Sequence, residues 1–302
     1  MPLPEKTTIL QTLDAPRDRF AGLRSLALML RFALLGWFGR RPLVDPEGPV
    51  VSLTSYGARI RFVHLAIESI GRGSLRPSRL LLWLDDRDVV RRPPRSLRRL
   101  QRRGLEILLC DDFGPYKKSF PFALTSTHHV APLVTADDDW LVPAGWLETL
   151  VDTATRHPDT VLAHRAHEIR VEEGRIAPYA TWTRADSPTV SFRHFGTGCM
   201  GQLLPPAVLD ALRDEGVRFQ TFAPHADDVW IHRLAVSAGS GVRPVGLLLD
   251  DDFAPIRGAG RFGGAGLFEE NVAGGRNDRQ IAAACTSSEL AAILAAPPVL
   301  SL

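Results

Sequence analysis

The chain has 302 residues, of which 45% are hydrophobic, 23% charged and 8% aromatic. This length suits one large domain or two small ones, and the apolar share is sufficient for a hydrophobic core. The 25 glycines and 23 prolines are scattered without a short repeat, which excludes collagen-like, coiled-coil and disordered sequences. A net charge of +2 argues against a protein that binds the phosphate backbone of nucleic acids.

The first 45 residues differ from the rest and are predicted to form a helical extension. The apolar segment 20–38 contains Arg24 and Arg31, so it lacks the uninterrupted run of about 20 apolar residues that a spanning helix needs. Two interpretations stay open. The helix either lies on an anionic membrane surface, with Trp37 at the interface, or packs on the main domain or on a partner.

From Val50 onward, strand and helix patterns alternate, which predicts βαβ units and an α/β fold with a mostly parallel sheet flanked by helices. The expected strands are 50–54, 80–84, 105–110 and 133–136, and the expected helices 60–70, 96–103, 120–130 and one from Pro143. Further along we expect a hairpin turn at Glu173–Gly174, a strand near 199–204, helices from Pro206 and over 227–238, a strand over 245–249 and a helical tail from Asp278. Residues 254–276 are glycine-rich and predict a mobile loop of the kind that covers active sites.

Acidic residues follow three successive strands, as Asp85–Asp86, Asp111–Asp112 and Asp137–Asp139, with 26 residues between the first members of each group. Any one group alone is typical of a solvated turn or a helix cap. Because the carboxyl ends of parallel strands share one edge of a sheet, together they predict a ligand site there. Three consecutive carboxylates repel each other unless a cation neutralises them. Oxygen ligands suit Mg²⁺ or Mn²⁺, which often bridges substrate phosphates.

Two further groups carry candidate chemistry. Lys117 and Lys118 are two of only three lysines, whereas 33 of the 36 basic residues are arginine. Lysine suits phosphate as a compact charge, and chance clustering at the surface is the alternative. Asp227 and Asp228 lie at a predicted helix start, where they either favour the helix dipole or supply a base that stays ionised near neutral pH.

The remaining polar residues give weaker indications. The histidines, among them His128, His129, His164 and His167, lack a metal-binding spacing and are expected at the surface or in supporting positions. The three cysteines are widely spaced and odd in number, so they predict no disulfide framework and indicate a reducing, cytoplasmic compartment. The arginines of 87–103 predict a solvated helical face or contact with an anionic membrane.

The ordered motifs VVSLTSYGARI, LLLWLDD, CDDFGPYKK, VTADDDWLVPAGWLETLV, PHADDVWIHRLAV and ENVAGGRNDRQI resemble those of bacterial glycosyltransferases of the GT-A fold, close to the large inverting family 2. The similarity runs from about residue 50 to residue 284. It implies a catalytic domain over 46–302, with a nucleotide-binding half (46–142) and an acceptor half (143–302). It also implies Mn²⁺ or Mg²⁺, a UDP- or GDP-linked sugar donor, and a glycan or lipid-linked acceptor that receives the sugar on a hydroxyl group.

The resemblance also implies roles for individual residues. Asp228 matches the catalytic base, with Asp227 as its close competitor. The donor-binding positions are Thr54, Ser55, Tyr56, Arg59, Asp85, Asp111, Lys117, Lys118, Asp137 and Asp138. The metal positions are Asp139, Asp137 and Glu269, the last standing where relatives carry a histidine. Gly196, Thr197 and Gly198 match the acceptor side, and Asn271, Asn277 and Asp278 match a loop ordered over the donor.

Two alternatives remain. A nucleotidyltransferase acting on sugar phosphates shares the parallel architecture and the paired acids. It would be expected to carry a glycine-rich phosphate loop after the first strand, where TSYGAR offers one glycine. A membrane-surface scaffold without catalysis is the other alternative, and the full set of acids at the strand ends argues against it.

Overall fold

The computed structural model describes residues 19–246, 252–258 and 275–298, together with Ile9 and Asn271. In the first half of the chain the elements are α1 (Arg19–Phe38), β1 (Val50–Thr54), α2 (Val63–Ile70), β2 (Arg79–Leu84), α3 (Arg87–Arg91), α4 (Arg95–Gln101), β3 (Leu105–Leu109), α5 (Phe120–Ala123), β4 (Leu133–Ala136) and β5 (Trp140–Leu141). Single 3₁₀ turns lie over Gly57–Arg61 and Gly114–Lys118.

Among the described residues, the second half contains short strands of two or three residues together with six helices. They are α6 (Trp146–Arg156), β6 (Val161–Ala163), β7 (Ala166–Glu168), β8 (Val171–Glu172), β9 (Arg175–Ile176), β10 (Thr183–Arg184), β11 (His194–Gly196), β12 (Gln202–Leu204), α7 (Pro206–Glu215), α8 (Phe219–Phe222), α9 (Asp227–Ser237), β13 (Val242–Pro244), β14 (Ala254–Pro255), α10 (Arg276–Ala284) and α11 (Ser287–Ala295).

The central sheet has seven strands in the order β13-β6-β12-β4-β1-β2-β3. Strand β1 is parallel to both β2 and β4, and within this described sheet β12 alone runs antiparallel to its neighbours. The predicted α/β fold with a mostly parallel sheet and flanking helices is therefore confirmed. Strand β2, which follows β1 in the chain, lies on one side of β1, and β4 lies on the other side. Such a reversal opens a crevice at the carboxyl ends of the two strands, after Thr54 and Ala136.

The strands are buried on both faces, as a parallel sheet between helices requires. Every residue of β4 is buried, and in β2 only Arg79 at the start is exposed. On one side of the sheet, buried residues of β1, β2, β4, α2 and α6 form one apolar cluster. A second cluster, rich in aromatic side chains, joins the Gly114–Lys118 turn and α5 to α7, α8 and α9. These two clusters fix the strand ends relative to the helix that begins at Asp227.

Smaller elements both agree with and depart from the sequence prediction. The β8–β9 hairpin is confirmed, and Glu173 and Gly174 have φ values of 49° and 73°, which suits its two-residue turn. The helix predicted over 120–130 ends at Ala123 instead. There Thr125 donates its hydroxyl to the Phe122 carbonyl, and such a local side-chain hydrogen bond competes with helix continuation.

The region between residues 242 and 276 also departs from the prediction. The strand predicted over 245–249 lies at Val242–Pro244, and residues 247–250 are outside the described part of the chain. Within the glycine-rich segment 254–276, Ala254–Pro255 forms β14, which pairs with β5. Residues 259–270 and 272–274 of that segment are outside the described residues, so the predicted lid stays a prediction.

Helix α1 packs on the domain. Phe32 is buried in a third apolar cluster with Leu65 and Ala66 of α2 and with Leu141, Ala254 and Ile256 near β5 and β14. No helix among the described residues is long and apolar enough to cross a membrane. These contacts hold α1 against α2.

A buried ion pair joins the end of this extension to the domain. Arg103 donates to both oxygens of Glu68 at 2.6 and 3.0 Å, and its Nε donates to the Arg41 carbonyl at 2.7 Å. Arg72 gives Glu68 a second partner at 2.8 Å.

Replacing Arg103 with alanine should lower the free energy of unfolding by about 3 kcal/mol, the low end for a broken buried ion pair, because Glu68 keeps Arg72 as a partner. Urea denaturation measures this change. The matched control is Arg79→Ala, which removes an exposed bidentate pair with Glu106 at 2.7 and 2.8 Å. Its expected cost is below about 1 kcal/mol. Equal losses in the two variants would contradict the difference in burial.

Candidate active site

A cleft of about 1240 Å³ lies at the crevice between the carboxyl ends of β1 and β4. It is bounded on the far side by the start of α9 and by the segment after β11. Of the residues predicted from the sequence, its lining includes Thr54, Tyr56, Arg59, Asp85, Lys117, Lys118, Asp137, Asp138, Asp139, Thr197, Gly198, Asn277, Asp227 and Asp228 together with Asn271. The topology therefore brings most of the predicted site to one place.

A few predicted residues lie elsewhere. Ser55 and Gly196 are buried behind the cleft lining, and Glu269 is outside the described residues. Asp111 is exposed and not part of the lining, whereas its neighbour Asp112 is. The Asp112 carboxylate accepts a hydrogen bond from the Gly114 amide at 3.0 Å, which holds it against the turn that carries Lys117.

The three consecutive aspartates have different environments. Asp138 is buried and accepts a hydrogen bond from Ser55 Oγ at 2.6 Å, and its other oxygen pairs with Arg59. Arg59 also pairs with Asp139 at 2.6 Å. The middle carboxylate thus fastens the loop after β4 to the loop after β1. Its two neighbours, Asp137 and Asp139, line the cleft.

The ionised form of the Asp139 carboxyl group is destabilised by its surroundings. Burial raises its pKa to about 6; the neighbouring carboxylates of Asp137 and Asp138 act in the same direction, and Arg59 opposes them. Its Oδ1 is buried without a hydrogen-bond partner among the described residues. An orphaned carboxylate oxygen beside a second carboxylate is chemically suited to a hard divalent cation. No group of three or more His, Cys, Asp or Glu side chains in the described chain is placed to hold a metal by itself.

Lys118 lies between the two acidic segments. Its Nζ is 2.8 Å from Asp137 at the end of β4 and 3.0 Å from Asp227 at the start of α9. Burial opposes its positive charge, but the carboxylates of Asp137, Asp227 and Asp228 outweigh burial and raise the pKa of Lys118. This lysine is therefore a fixed cation inside the protein, not the exposed residue that chance clustering would produce.

Asp228 is held by the acceptor-side segment. The Gly198 amide donates to its Oδ1 at 2.7 Å. Burial and the adjacent Asp227 carboxylate raise the pKa of Asp228 to about 8, against the opposing charge of Lys118. Desolvation and the like charge of Asp227 favour the protonated form of Asp228 in the protein without substrates, whereas the sequence predicts a base that is ionised near neutral pH.

Position 198 requires a glycine because the side chains of Lys118 and Asp228 approach its backbone closely. A Cβ at this position would lie 2.7 Å from Lys118 Nζ and 2.9 Å from Asp228 Oδ1. Both distances are shorter than real contacts allow, so a larger residue would displace the lysine or the carboxylate. Trp146 supports the same segment from behind, donating from Nε1 to the Met200 carbonyl at 2.6 Å.

Lys117 lies at the opposite end of the cleft. Its Nζ is 3.1 Å from Asp85 after β2 and 3.3 Å from Asp112 after β3. The preceding residue, Tyr116, is buried and donates its hydroxyl to the Ala223 carbonyl at 2.7 Å. Its ring stacks on Phe219 with 3.9 Å between centroids. The turn that presents both lysines is thereby fixed against the segment that leads into α9.

The structure adds cleft residues that the sequence did not indicate, namely Arg165, His167 and Tyr179. The segment 160–171 precedes the predicted hairpin turn at Glu173–Gly174. The chain breaks there into β6 and β7 with His164 and Arg165 between them. The available signal for this break was the polar pair His164 and Arg165 inside an otherwise apolar run.

Both kinds of position expected for the histidines, at the surface and in support of other residues, occur among the described residues. His129, His164 and His167 are buried, and His128 remains exposed. Burial lowers the pKa of His164 to about 4 and that of His167 to about 3, so both rings are neutral at physiological pH. Desolvation of the charged form is the cause.

No protein-family model matches the sequence, and no curated protein matches it. Among solved structures, the chain is similar to GalNAc-T7 with UDP, GalNAc and Mn²⁺, at 11% identity and a TM-score of 0.43, over 65% of this chain and 41% of that one. It is also similar to 4-diphosphocytidyl-2C-methyl-D-erythritol synthase, at 12% identity and a TM-score of 0.39, over 68% of this chain and 94% of that one.

A third similar structure is CMP:2-keto-3-deoxy-manno-octonic acid synthetase complexed with CTP, at 13% identity and a TM-score of 0.37, over 65% of this chain and 88% of that one. The chain thus spans less than half the length of the GalNAc-T7 chain. Likenesses this distant carry no argument about the reaction, which has to be argued from the site itself.

The different environments of the aspartates predict opposite effects on stability. Asp139→Asn should raise the free energy of unfolding at pH 7 by about 1 kcal/mol, because the folded protein holds this carboxyl at a raised pKa. The stability cost of ionised Asp139 builds up as pH rises from its unfolded pKa, near 4, to its folded pKa, about 6, and is fully present above that.

Asp138→Asn should instead lower the free energy of unfolding. Burial raises the pKa of this carboxyl group as well, but both of its oxygens have buried partners, Ser55 and Arg59, and the loss of these contacts outweighs the relief of burying a charge. Urea denaturation of both variants at pH 7, without added metal, measures the contrast. Equal losses would show that Asp139 is also a structural carboxylate.

Proposed function

We propose that the protein is a metal-dependent glycosyltransferase that moves a sugar from a nucleotide diphosphate sugar to a hydroxyl group of a glycan or lipid-linked acceptor, with inversion at the anomeric carbon. One observation carries the proposal. Carboxylates from the end of β4 and from the start of α9 meet on either side of Lys118 in one cleft. This arrangement supports a reaction in which a charged leaving group departs beside a base.

The cleft has room for two substrates. Its volume of about 1240 Å³ exceeds the range of about 300–1,000 Å³ that is usual for pockets that bind a single small molecule. The nucleoside of the donor would lie at the end formed by Thr54, Tyr56 and Asp85, near Lys117. The acceptor would enter on the side of Thr197 and Gly198, next to Asp228.

Asp137 and Asp139 would hold the divalent cation, Mn²⁺ or Mg²⁺, together with oxygens of the donor diphosphate. The orphaned Oδ1 of Asp139 supports this assignment. A bound cation supplies stabilisation of the negative charge that develops on the diphosphate. Lys118 adds a second, permanent positive charge to the same region, since its contact with Asp137 keeps it beside the metal carboxylates.

Asp228 would act as the base. Its ionised carboxylate removes the proton from the acceptor hydroxyl as that oxygen forms a bond to the anomeric carbon. The bond from this carbon to the diphosphate oxygen breaks in the same displacement, and the nucleoside diphosphate leaves with the electron pair. The Gly198 amide fixes the orientation of the carboxylate through its hydrogen bond at 2.7 Å. Asp227 is the competing candidate, but its carboxylate already pairs with Lys118.

Asp228→Asn should reduce turnover by about 10²–10⁴-fold, because a positioned general base contributes a factor of that size. Donor affinity should remain close to that of the parent, since the variant keeps the shape of the side chain. Steady-state kinetics and calorimetric titration with the nucleoside diphosphate measure the two quantities. Asp227→Asn is the matched control, expected to weaken the Lys118 contact without removing the base.

The pH profile provides an independent test of the same assignment. The base must be ionised, so kcat/KM should fall about tenfold per pH unit below the pKa of Asp228 and level off above it. In the protein without substrates this pKa is about 8. A cation bound on Asp137 and Asp139 favours the ionised form and moves the fall to lower pH. A variant Asp228→Asn that kept both turnover and this profile would remove Asp228 from the role.

The donor and the metal requirement are tested together by a screen of nucleotide sugars for slow hydrolysis, with and without chelator. We expect release of a nucleoside diphosphate that requires Mn²⁺ or Mg²⁺. Asp139→Asn should weaken metal-dependent nucleotide binding at least about tenfold, the loss of one charged ligand interaction of about 1.5–3 kcal/mol. Asp152→Asn is the control, since it neutralises an exposed carboxylate on α6 that is not part of the cleft lining.

Formation of a nucleotide sugar and pyrophosphate from a sugar phosphate and a nucleoside triphosphate would instead indicate a nucleotidyltransferase. Unchanged nucleotide affinity of Asp139→Asn in Mn²⁺ would contradict the metal assignment. Failure to bind any nucleotide would favour a scaffold without catalysis.

A further inference from the structure

Helix α1 carries a continuous apolar stripe on the side that faces away from the domain. Its members are more than half exposed, and they follow one another at intervals of three or four residues, which places them on one helix face. They are Leu23, Leu26, Leu30, Leu34 and Trp37, and the adjoining Phe38 is 73% exposed. A soluble surface rarely exposes contiguous apolar side chains in this way without a use for them.

The helix is fixed so that this stripe points outward. Its opposite side is buried through Phe32, which packs on α2 and on the β5–β14 pair. Arg24 donates to the carbonyls of Phe253 and Asp252 at 3.2 Å each. The Arg257 amide contacts the sulfur of Met29 at 3.3 Å. The outward face is therefore a consequence of how α1 is docked.

Positive charge lies beside the stripe. Helix α4 contacts α1 where the guanidinium of Arg99 lies 3.5 Å from the centre of the Trp37 ring. Residues 91–105, which include α4, contain seven arginines and no acidic residue, and residues 19–41 contain five arginines and no acidic residue. Arg103 is engaged with Glu68, but Arg95, Arg98 and Arg102 are exposed.

We propose that α1 and α4 together form a docking surface for an anionic membrane. The apolar stripe would enter the boundary between headgroups and acyl chains, and the arginines of α4 would contact acidic headgroups. Charge favours this occupant over a second copy of the chain. A symmetric pairing through α1 would bring the segments 19–41 and 91–105 of two copies close to each other, and neither segment contains an acidic residue.

The docking surface is connected to the cleft by one short segment. Ile256, which is buried against α1 with Phe32, donates its amide to the Asp139 carbonyl at 2.7 Å. This contact and the pairing of β14 with β5 tie the helix to the loop that carries the three aspartates. If the protein is the glycosyltransferase proposed above, docking would hold the cleft beside the bilayer, where a lipid-linked acceptor resides. Membrane binding itself does not depend on that assignment.

The test is co-sedimentation of the purified full-length chain with vesicles, without any nucleotide. We expect binding to vesicles of phosphatidylcholine with about one-third phosphatidylglycerol. Binding to phosphatidylcholine alone should be at least about tenfold weaker, because each arginine near an acidic surface adds to the binding affinity. Raising the salt concentration from about 0.05 M to about 0.5 M should weaken binding to the acidic vesicles, since it screens the attraction.

Two double variants separate the contributions. Leu26→Asp/Leu30→Asp should abolish binding, and Arg98→Gln/Arg102→Gln should reduce it about tenfold while leaving the apolar stripe intact. The matched control is Val130→Asp/Val217→Asp, which changes two exposed apolar residues outside α1 and should bind like the parent. The arginine variant changes only exposed side chains, so it tests the proposal even where the leucine variant fails to fold.

Several results would overturn the proposal. They are no binding to acidic vesicles, equal binding to both vesicle types, or parent-like binding by the folded leucine variant or the arginine variant. A dimer in light scattering that Leu26→Asp/Leu30→Asp dissociates would assign the surface to a second copy. Loss of nucleotide binding with normal vesicle binding would count against the proposed function alone.

Discussion

An excess of carboxylates over cations at one edge of the sheet is the constraint on which the site depends. Asp137, Asp138, Asp139, Asp227 and Asp228 converge where Arg59 and Lys118 supply the opposing charge. Burial and mutual repulsion raise the pKa of Asp139 and Asp228. A fold does not gather such groups for stability, because apolar residues would pack there at a lower cost. An excess of negative charge of this kind favours the binding of a cation.

The parallel sheet explains how so many acids come together. Strand β1 pairs with both β2 and β4, so the loops that follow these strands open on the same side. The helix that carries Asp227 and Asp228 is brought to this edge by a different route. Aromatic packing and the Tyr116 hydrogen bond join the lysine turn to the segment before α9. The apolar core and the charged site are thus built by the same contacts.

The sequence was sufficient to predict the elements that regular patterns of apolar and acidic residues encode. Apolar runs and their spacing predicted the strands, and the position of acids after those strands predicted the shared edge. It could not tell which side chain of an acidic pair enters the cleft, as Asp112 does and Asp111 does not, because that depends on the turn at Gly114. Nor could it locate Arg165 and His167, since the break between β6 and β7 follows from pairing in three dimensions.

Arg59 has a consequence for the resting protein. Its guanidinium pairs with both Asp138 and Asp139, and so supplies an internal counter-ion where a divalent cation is proposed to bind. A cation bound there would have to compete with this arginine for Asp139. Such competition would favour arrival of the metal already complexed to a polyanionic ligand over capture of the free ion.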